Sequence, residues 1–441
     1  MRSQTRCIFF SVLITFGFAS VCHAQLSNIQ PAADSTSLLL PAQDTLRISL
    51  QDAEKIMLEK NLDLIANHFN IDIAHAQVIT AGLWDNPGLA YNQNIWNPST
   101  RIPFTVTGQY GEVAVQIDQV FKTAGKRHRL VQYNKSNEKA AEYAYFDLLR
   151  NLKFQFRSDF YQLDALLKTQ KVYDLELEKS RILEKALSEA YDKNDVALKD
   201  VVTIQSTMFQ LQTDLTNNLS QITDLEAEMR YMLQASPKTF ILPTMPDVIN
   251  TNVPALMMDS LYTEAINNRP DVLNNSQQVE ASDWYVKYNK SLIAPDIDVS
   301  LQYDRSASAY PNYTGFGISL PLPLWNFNQG GIKSAKAALK QNQTQLDASK
   351  LKAVNDVNGA YLKLVRLSQL DLNTQIRNNK SFDKLMAGIY DVFQKKEMSL
   401  RDLVIYMDTY KQQAANFNNY IAQFYTARES LNMAVGKEIL K

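Results

Sequence analysis

Two hydrophobic periods divide this chain. Val201, Ile204, Met208, Leu211, Leu215, Ile222, Leu225, Met229 and Met232 recur at steps of three and four, with Asn218 as the one polar break. A second run, Leu403, Tyr406, Tyr410, Phe417, Tyr420, Phe424, Ala427, Leu431 and Ala434, keeps that spacing with Gln413 as its break. A stripe sustained this long predicts α-helices packed as left-handed coiled coils. Elsewhere the period is two. Glu112, Ala114, Gln116 and Asp118 alternate with Val113, Val115 and Ile117, and Asp296, Asp298, Ser300, Gln302 and Asp304 alternate with Ile297, Val299, Leu301 and Tyr303. A weaker alternation runs through Leu89, Tyr91, Gln93 and Ile95, and through Phe316, Ile318 and Leu320 opposite Gly315, Gly317 and Ser319. Such alternation predicts strands with one apolar and one polar face.

Both patterns occur twice, in the same order. The stretch beginning NLDLIANHF at Asn61 aligns on the stretch beginning RPDVLNNSQ at Arg269, setting Asp63 over Asp271 and Pro87 over Pro295. Further on, NDVALKDVV from Asn194 aligns on KEMSLRDLV from Lys396, setting Leu198 over Leu400 and Asp200 over Asp402. Each half reads helix, strand, loop, strand, very long helix, tight turn, long helix. The expected organisation is an extended segment at 25–47, a first repeat at 48–245 and a second at 246–441. Strands are expected at 88–96, 111–120, 296–304 and 314–322, with helical hairpins at 126–236 and 330–436. Neither glycine nor proline occurs from Lys126 to Ser236, where only Lys193-Asn194-Asp195 reads as a turn. At about 1.5 Å per residue, a first arm of some 65 residues would reach on the order of 100 Å.

The N-terminus carries Arg2 and Arg6 before an apolar run from Ile8 to Val21, and Cys22-His23-Ala24 ends in a small residue. This predicts an export signal over 1–24 and a mature chain starting at Gln25. Acylation of Cys22 is the alternative, against which Ala19-Ser20-Val21 is a poor lead-in. The two cysteines, Cys7 and Cys22, both lie in that segment, so no disulfide or thiolate ligand is expected in the exported chain. A net charge of −1 gives no footprint for nucleic acid. No stretch after the signal has the roughly 18 to 20 consecutive apolar residues of a membrane helix, so any membrane crossing falls to the strands. Four strands cannot close a barrel, and lipid does not tolerate an open sheet edge. Several copies must therefore share one barrel: two give about eight strands with a filled interior, three about twelve with a lumen. The fold class expected is mainly α with a membrane β-barrel portion, an internally duplicated chain giving four strands per protomer to a trimeric barrel, and long coiled-coil hairpins forming a tunnel.

The candidate chemistry changes this picture little. There is no Gly-rich phosphate loop and no His-paired nucleophile, and TAGKR lacks P-loop spacing, so neither an enzyme nor a cofactor is expected. His68 and His75 lie on one helix without cysteine or clustered carboxylate, and Met257-Met258 reads as packing, so no metal site is expected. The run ISLPLPLWNFNQGG is the informative one. Pro321 and Pro323 remove ladder donors and end the fourth strand, Trp325 and Phe327 suit a membrane interface, and Asn328 to Gly331, Gly330 included, provide a swivel into the next helix. QVFKTAGKRHR, with Gly125, Lys126 and Arg127, has the same role in the first half. Its cations Lys122, Lys126, Arg127 and Arg129 are read as facing lipid headgroups.

Four duplicated or ordered elements carry a resemblance to a known family: Asn61 to Asp63 with Arg269 to Asp271, Asn86-Pro87 with Ala294-Pro295, the G-K-R at Gly125 to Arg127, and the P-L-P-L-W-N-x-N-Q-G run ending at Gly330. In this order the chain resembles the outer-membrane efflux proteins, the TolC-like exit ducts, over nearly all its mature length. That resemblance implies a homotrimer in outer-membrane lipid with a helical tunnel across the periplasm, a periplasmic adaptor protein, and an inner-membrane pump of the resistance-nodulation-division type. It implies passive conduction, with a pump-independent porin and a type I secretion duct as alternatives. The G-K-R resembles the branch serving heavy-metal pumps. It further implies that the two turns are periplasmic tips: Asn194, Asp195, Leu198, Lys199, Lys396, Glu397, Leu400 and Arg401 face the adaptor, and Asp200 and Asp402 serve gating or selectivity. The family usually has glycine where Asn194 and Lys396 stand, and lysine accepts the left-handed conformation only at a cost, so the second turn is expected to differ in shape. Phe393, Met398 and Ile405 occupy positions where the family carries polar gate links.

Overall fold

The computed structural model describes residues 44–98, 101–106, 111–245, 254, 256–306, 310–369 and 384–440. The expected export signal over 1–24, Cys7 and Cys22 lie outside the described residues. The chain enters as β1 (Thr45–Ser49), which lies parallel to β4 (Phe240–Thr244). Ser49 then starts α1 (Leu50–Lys60) by a reciprocal cap, its hydroxyl accepting from Asp52 N at 3.2 Å and donating to Asp52 Oδ2 at 2.6 Å. Asn61 breaks the helix in extended backbone and caps α2 (Leu62–Gly82) through Leu64 N at 3.0 Å.

Arg269 occupies the corresponding break between α5 (Met258–Asn268) and α6 (Pro270–Ser291), with Pro270 at the first helical position, where a missing N–H costs nothing. Its buried guanidinium reaches Asp271 at 2.7 Å and Asp356 at 2.9 Å. Gly436, at φ +78°, closes the last helix directly against it, and a Cβ there would stand 3.2 Å from the Arg269 Cα. The duplicated N-x-D and R-P-D elements are thus helix breaks and caps.

Four strands form one antiparallel sheet in the order β2 (Gly88–Gln93), β3 (Glu112–Phe121), β5 (Ile297–Ser306), β6 (Tyr310–Ser319). The helix α3 (Lys126–Asp192) runs unbroken for 67 residues, about 100 Å at 1.5 Å per residue. Next to the sheet the helices stand side by side as α2, α3, α6 and α7 (Gln329–Ser368), the same order as the strands they join. Farther along, α3 lies between α4 (Leu198–Leu233) and α9 (Leu400–Val435), while helical residues 384–394 form α8.

Three apolar cores fill this bundle, the first two meeting on α9 around Ala422 to Tyr425 and the third lying near the hairpin turns. Phe156, Phe160, Leu163, Met229 and Ile241 centre the first, Val357, Leu364, Phe424 and Leu431 the second, and Leu187, Ile204, Leu403 and Met407 the third. The stripe on α4 is buried at Val201, Ile204, Leu211, Ile222, Met229 and Met232, and its polar break is satisfied because Asn218 Nδ2 donates to the Leu166 carbonyl at 3.1 Å. On α9 the buried line departs from the expected one: Met407 and Ala414 are inside, and Tyr406 is 44% exposed. This helix packs on α3 and also on α7, so its buried face is broader than a two-helix seam. Arg157 ties the middle together, reaching Glu54 at 2.8 Å, Glu429 at 2.7 Å and Glu438 at 2.6 Å.

Candidate functional site: sheet, junctions and helix tips

Antiparallel pairing sets opposite residues on the same face, so the register sorts the sheet completely. One face carries Leu89, Tyr91, Val113, Val115, Ile117, Val299, Leu301, Tyr303, Phe316 and Ile318, joined toward the strand ends by Gln93, Gln119, Arg305 and Thr314. The other carries Gln116, Asp118, Asp298, Ser300, Gln302, Asp304, Gly315 and Gly317. Among the described residues little covers the apolar face: Leu89 is 73% exposed, Phe316 66% and Leu301 58%. An apolar surface this continuous is matched to lipid rather than water. On the polar face Gly317 has its own reason, since a Cβ there would stand 2.6 Å from the Ser300 hydroxyl.

Below the sheet, Ala124 (φ 51°) and Gly125 (φ 66°) turn the chain into α3. Lys126 is buried and pairs with Asp296 Oδ1 at 2.6 Å, and the same oxygen accepts from Thr123 N at 2.9 Å. Arg127 lies over the Trp84 ring at 4.1 Å, Arg129 donates to the Ala124 carbonyl at 2.8 Å, and Lys122 pairs with Asp85 at 2.9 Å. Of these four cations Lys126 alone is buried, and its ammonium is taken up by Asp296 within the fold rather than facing outward. At the second junction the left-handed residue is Asn328 (φ 56°), whereas Gly330 and Gly331 are already helical. Asn328 Nδ2 donates to the Asn289 carbonyl at 2.9 Å, so within the expected swivel of Asn328 to Gly331 it is Asn328 that takes and fixes the bend. Pro321 and Pro323 follow the end of β6, and Trp325 is 85% exposed.

The two tips share one construction. Asp195 N donates to the Ala190 carbonyl and Asn194 N to the Tyr191 carbonyl, both at 2.9 Å. Glu397 N donates to the Val392 carbonyl at 3.1 Å and Lys396 N to the Phe393 carbonyl at 2.9 Å. Both are Schellman closures with a left-handed residue, Asn194 at φ 60° and Lys396 at φ 62°. The second turn thus keeps the shape of the first, and Lys396 bears the conformational cost. After the turns, Asp200 lies in the first turn of α4 behind Ala197, which offers no side-chain cap. Asp402 lies in the first turn of α9, where it accepts from the Ser399 hydroxyl at 2.7 Å while its N–H donates to that oxygen at 3.2 Å. Leu198 is 55% exposed but Leu400 is buried in the tip core, which removes Leu400 from the tip's outer surface. Asn194, Asp195, Lys199, Lys396, Glu397 and Arg401 are exposed. A groove of ≈ 640 Å³ runs beside the turns, lined in part by Ile182, Leu183, Val196, Phe393 and Met398.

Two polar links behind the tips carried no motif. The Tyr390 hydroxyl donates to buried Glu176 at 2.7 Å under Lys179, whose ammonium lies 4.2 Å from the ring centre. Burial pushes the Glu176 carboxyl and the Tyr390 phenol up from their ordinary values. Lys411 of α9 bridges to Asp214 of α4 at 2.6 Å and to Asp408 at 3.1 Å. Single polar residues on long helices give no sequence signal, because their partners lie on other helices. His75 reaches Glu138 at 2.7 Å and His68 meets the Tyr145 ring edge-on at 5.7 Å.

A four-stranded sheet continued by long paired helices gives the chain a TolC-like fold. The description "Outer membrane efflux protein" belongs to the family model that matches residues 261–381 of this chain. Its fold is similar to that of the Campylobacter jejuni CmeC outer membrane channel, at TM-score 0.71 and 13% identity over 89% of this chain and 87% of that one. It is also similar to CusC, at TM-score 0.69 and 12% identity over 88% of this chain and 92% of that one. In sequence it is 22% identical over 189 residues to the cobalt-zinc-cadmium resistance protein CzcC of Cupriavidus metallidurans, a match covering 42% of this chain and 44% of that protein.

Proposed function

We propose that the protein is the exit duct of a tripartite efflux system, a homotrimer that passively conducts substrates received from a periplasmic adaptor and an inner-membrane pump. One observation carries the reading. The four-stranded sheet has a bare apolar face and two open edges, β2 and β6, and lipid requires both edges to be paired. Three copies supply about twelve strands, enough to leave a lumen, and an even number per copy keeps every contact antiparallel. The polar face, with Asp118, Asp298 and Asp304, then lines that lumen. The helical hairpins extend the wall to tips whose exposed Asn194, Lys199, Lys396 and Arg401, beside an apolar groove, suit an adaptor. Asp200 and Asp402 are assigned to the entrance.

The G-K-R at Gly125 to Arg127 and the partial match to a cobalt-zinc-cadmium resistance protein favour a heavy-metal pump as the partner. The test is photo-crosslinking in cells from Lys199 and Lys396, followed by mass spectrometry of the captured protein. Capture of a periplasmic adaptor at both tips, lost when the inner-membrane pump operon is deleted, is the expected result. Efficient capture of lipid or porin partners only would refute the duct.

A further inference from the structure

The end of the sheet that joins the helices carries an unbalanced charge beside bare apolar surface. Phe121 ends β3 opposite Ile297, on the face of Val115 and Val299, and Gln119 two residues earlier shares that face. Gln119 Nε2 donates to the Asp85 carbonyl at 2.9 Å, and the Trp84 ring meets Phe121 edge-on with centres 6.1 Å apart. Trp84 and Asp85 therefore stand at the rim of the apolar face. Arg127 lies over the Trp84 ring, which brings its guanidinium to the same rim. Leu83, Trp84 and Phe121 are all exposed.

A cavity of ≈ 180 Å³ opens here, lined mainly by Leu83, Trp84, Asp85, Lys122, Arg127 and His128. Lys122 and Asp85 pair at 2.9 Å and cancel in charge. Arg127 has an aromatic partner but, among the described residues, no carboxylate, which leaves the cavity one positive charge in excess. The neighbouring cations do not share its position, since Lys126 is engaged by Asp296 and Arg129 by the Ala124 carbonyl. The first turn of α3 holds no acidic residue, so Arg127 also stands unscreened at the positive end of the helix dipole.

We propose that this cavity holds the phosphodiester group of a membrane glycerophospholipid, with Arg127 as its main ligand, Lys122 beside it, and the acyl chains running over Trp84 and Phe121 onto the apolar face. The inference rests on the lipid-facing sheet of the duct reading and deepens it by giving one rim of the membrane a defined contact. Charge, geometry and position choose the ligand. A phosphodiester carries the single negative charge that the cavity lacks, and a planar guanidinium offers it two parallel N–H donors. Stacking on Trp84 covers a face of the guanidinium and leaves the N–H groups at its edge for an anion. Free phosphate would meet the same donors, but only a ligand with chains also covers Leu83, Trp84 and Phe121.

The test titrates the full chain, purified in detergent and stripped of lipid, with dioleoylphosphatidylglycerol and follows binding by native mass spectrometry. Dioleoylglycerol, which has the same chains and no phosphate, is the comparison. The phospholipid should saturate at one per chain and the diacylglycerol should not. Arg127→Gln should weaken the phospholipid about tenfold, the loss of a charge-assisted hydrogen-bonded contact, whereas Arg129→Gln, which removes a cation from the same rim but not from the cavity, should leave it unchanged. Equal weakening by both variants would reduce the effect to diffuse surface charge and overturn the site. Displacement by inorganic phosphate at equal concentration would overturn the lipid as its occupant. Equal binding of the two lipids to the native chain would do the same without any variant. Insertion into vesicles separates this inference from the reading beneath it: a native chain that inserts as a channel but binds no phospholipid at one per chain overturns the site alone, whereas a chain that does not insert overturns the lipid-facing sheet and the site with it.

Discussion

Arginine at Val115 should destabilise the assembled barrel, and arginine one residue later should not. Val115 lies on the bare apolar face, its register partners Tyr91 and Tyr303 on either side, while Gln116 points to the face of Gln302 and Ala90. The strand β3 has 10 residues, which at about 3.3 Å each and the tilt of a membrane strand spans roughly 25 Å, the height of the apolar band. Val115 lies between Glu112 and Phe121, within about 4 Å of the middle of that height. Near the midplane, arginine on a lipid face costs about 2 to 4 kcal/mol. That is roughly 30- to 700-fold in the folded population per site, and a trimer carries the lesion three times. At Gln116 the new guanidinium meets water and the neighbouring carboxylates Asp118 and Asp304 instead. Refolding both variants into vesicles of one lipid composition and following trimer survival against temperature on gels should give a large loss for Val115→Arg and near-native behaviour for Gln116→Arg. Equal loss in both variants, or none in Val115→Arg, would refute the assignment of faces.

Three further outcomes are expected. Lys126→Met leaves the half-buried Asp296 with only the Thr123 N–H, and should cost about 2 kcal/mol, read as a lower midpoint in urea that K126R largely restores. Asp159→Asn should stabilise the protein at pH 8 and leave it nearly unchanged at pH 3: burial pushes the Asp159 carboxyl from 3.8 up to about 6, so the folded chain holds that proton more tightly than the unfolded chain, and stability is lost as pH rises from the ordinary value through 6. Allowing for solvent screening, the gain at pH 8 should be about 1 to 2 kcal/mol, and equal melting shifts at both pH values would count against it. Asp402→Ala should reduce the cation preference of single channels in planar bilayers, whereas Ser399→Ala, which removes the cap alone, should cost about 1 kcal/mol of stability and leave selectivity unchanged; identical selectivity in both variants and the native channel would reduce Asp402 to its capping role.

What could be read from the chain and what could not divide along the range of the interactions. The alternation from Glu112 to Asp118 and from Ile297 to Tyr303 is legible because each pleat turns one residue to each face, so a few neighbours fix the pattern. The α4 stripe is legible for the same reason, and its Asn218 break is explained once Leu166 supplies a carbonyl. The burial of Lys126 was not legible because it finds its carboxylate at Asp296, far off in sequence, and charge alone suggested lipid headgroups. The swivel at Asn328 to Gly331 was legible, but not that Asn328 takes the left-handed turn, because its amide is anchored to Asn289 on α6.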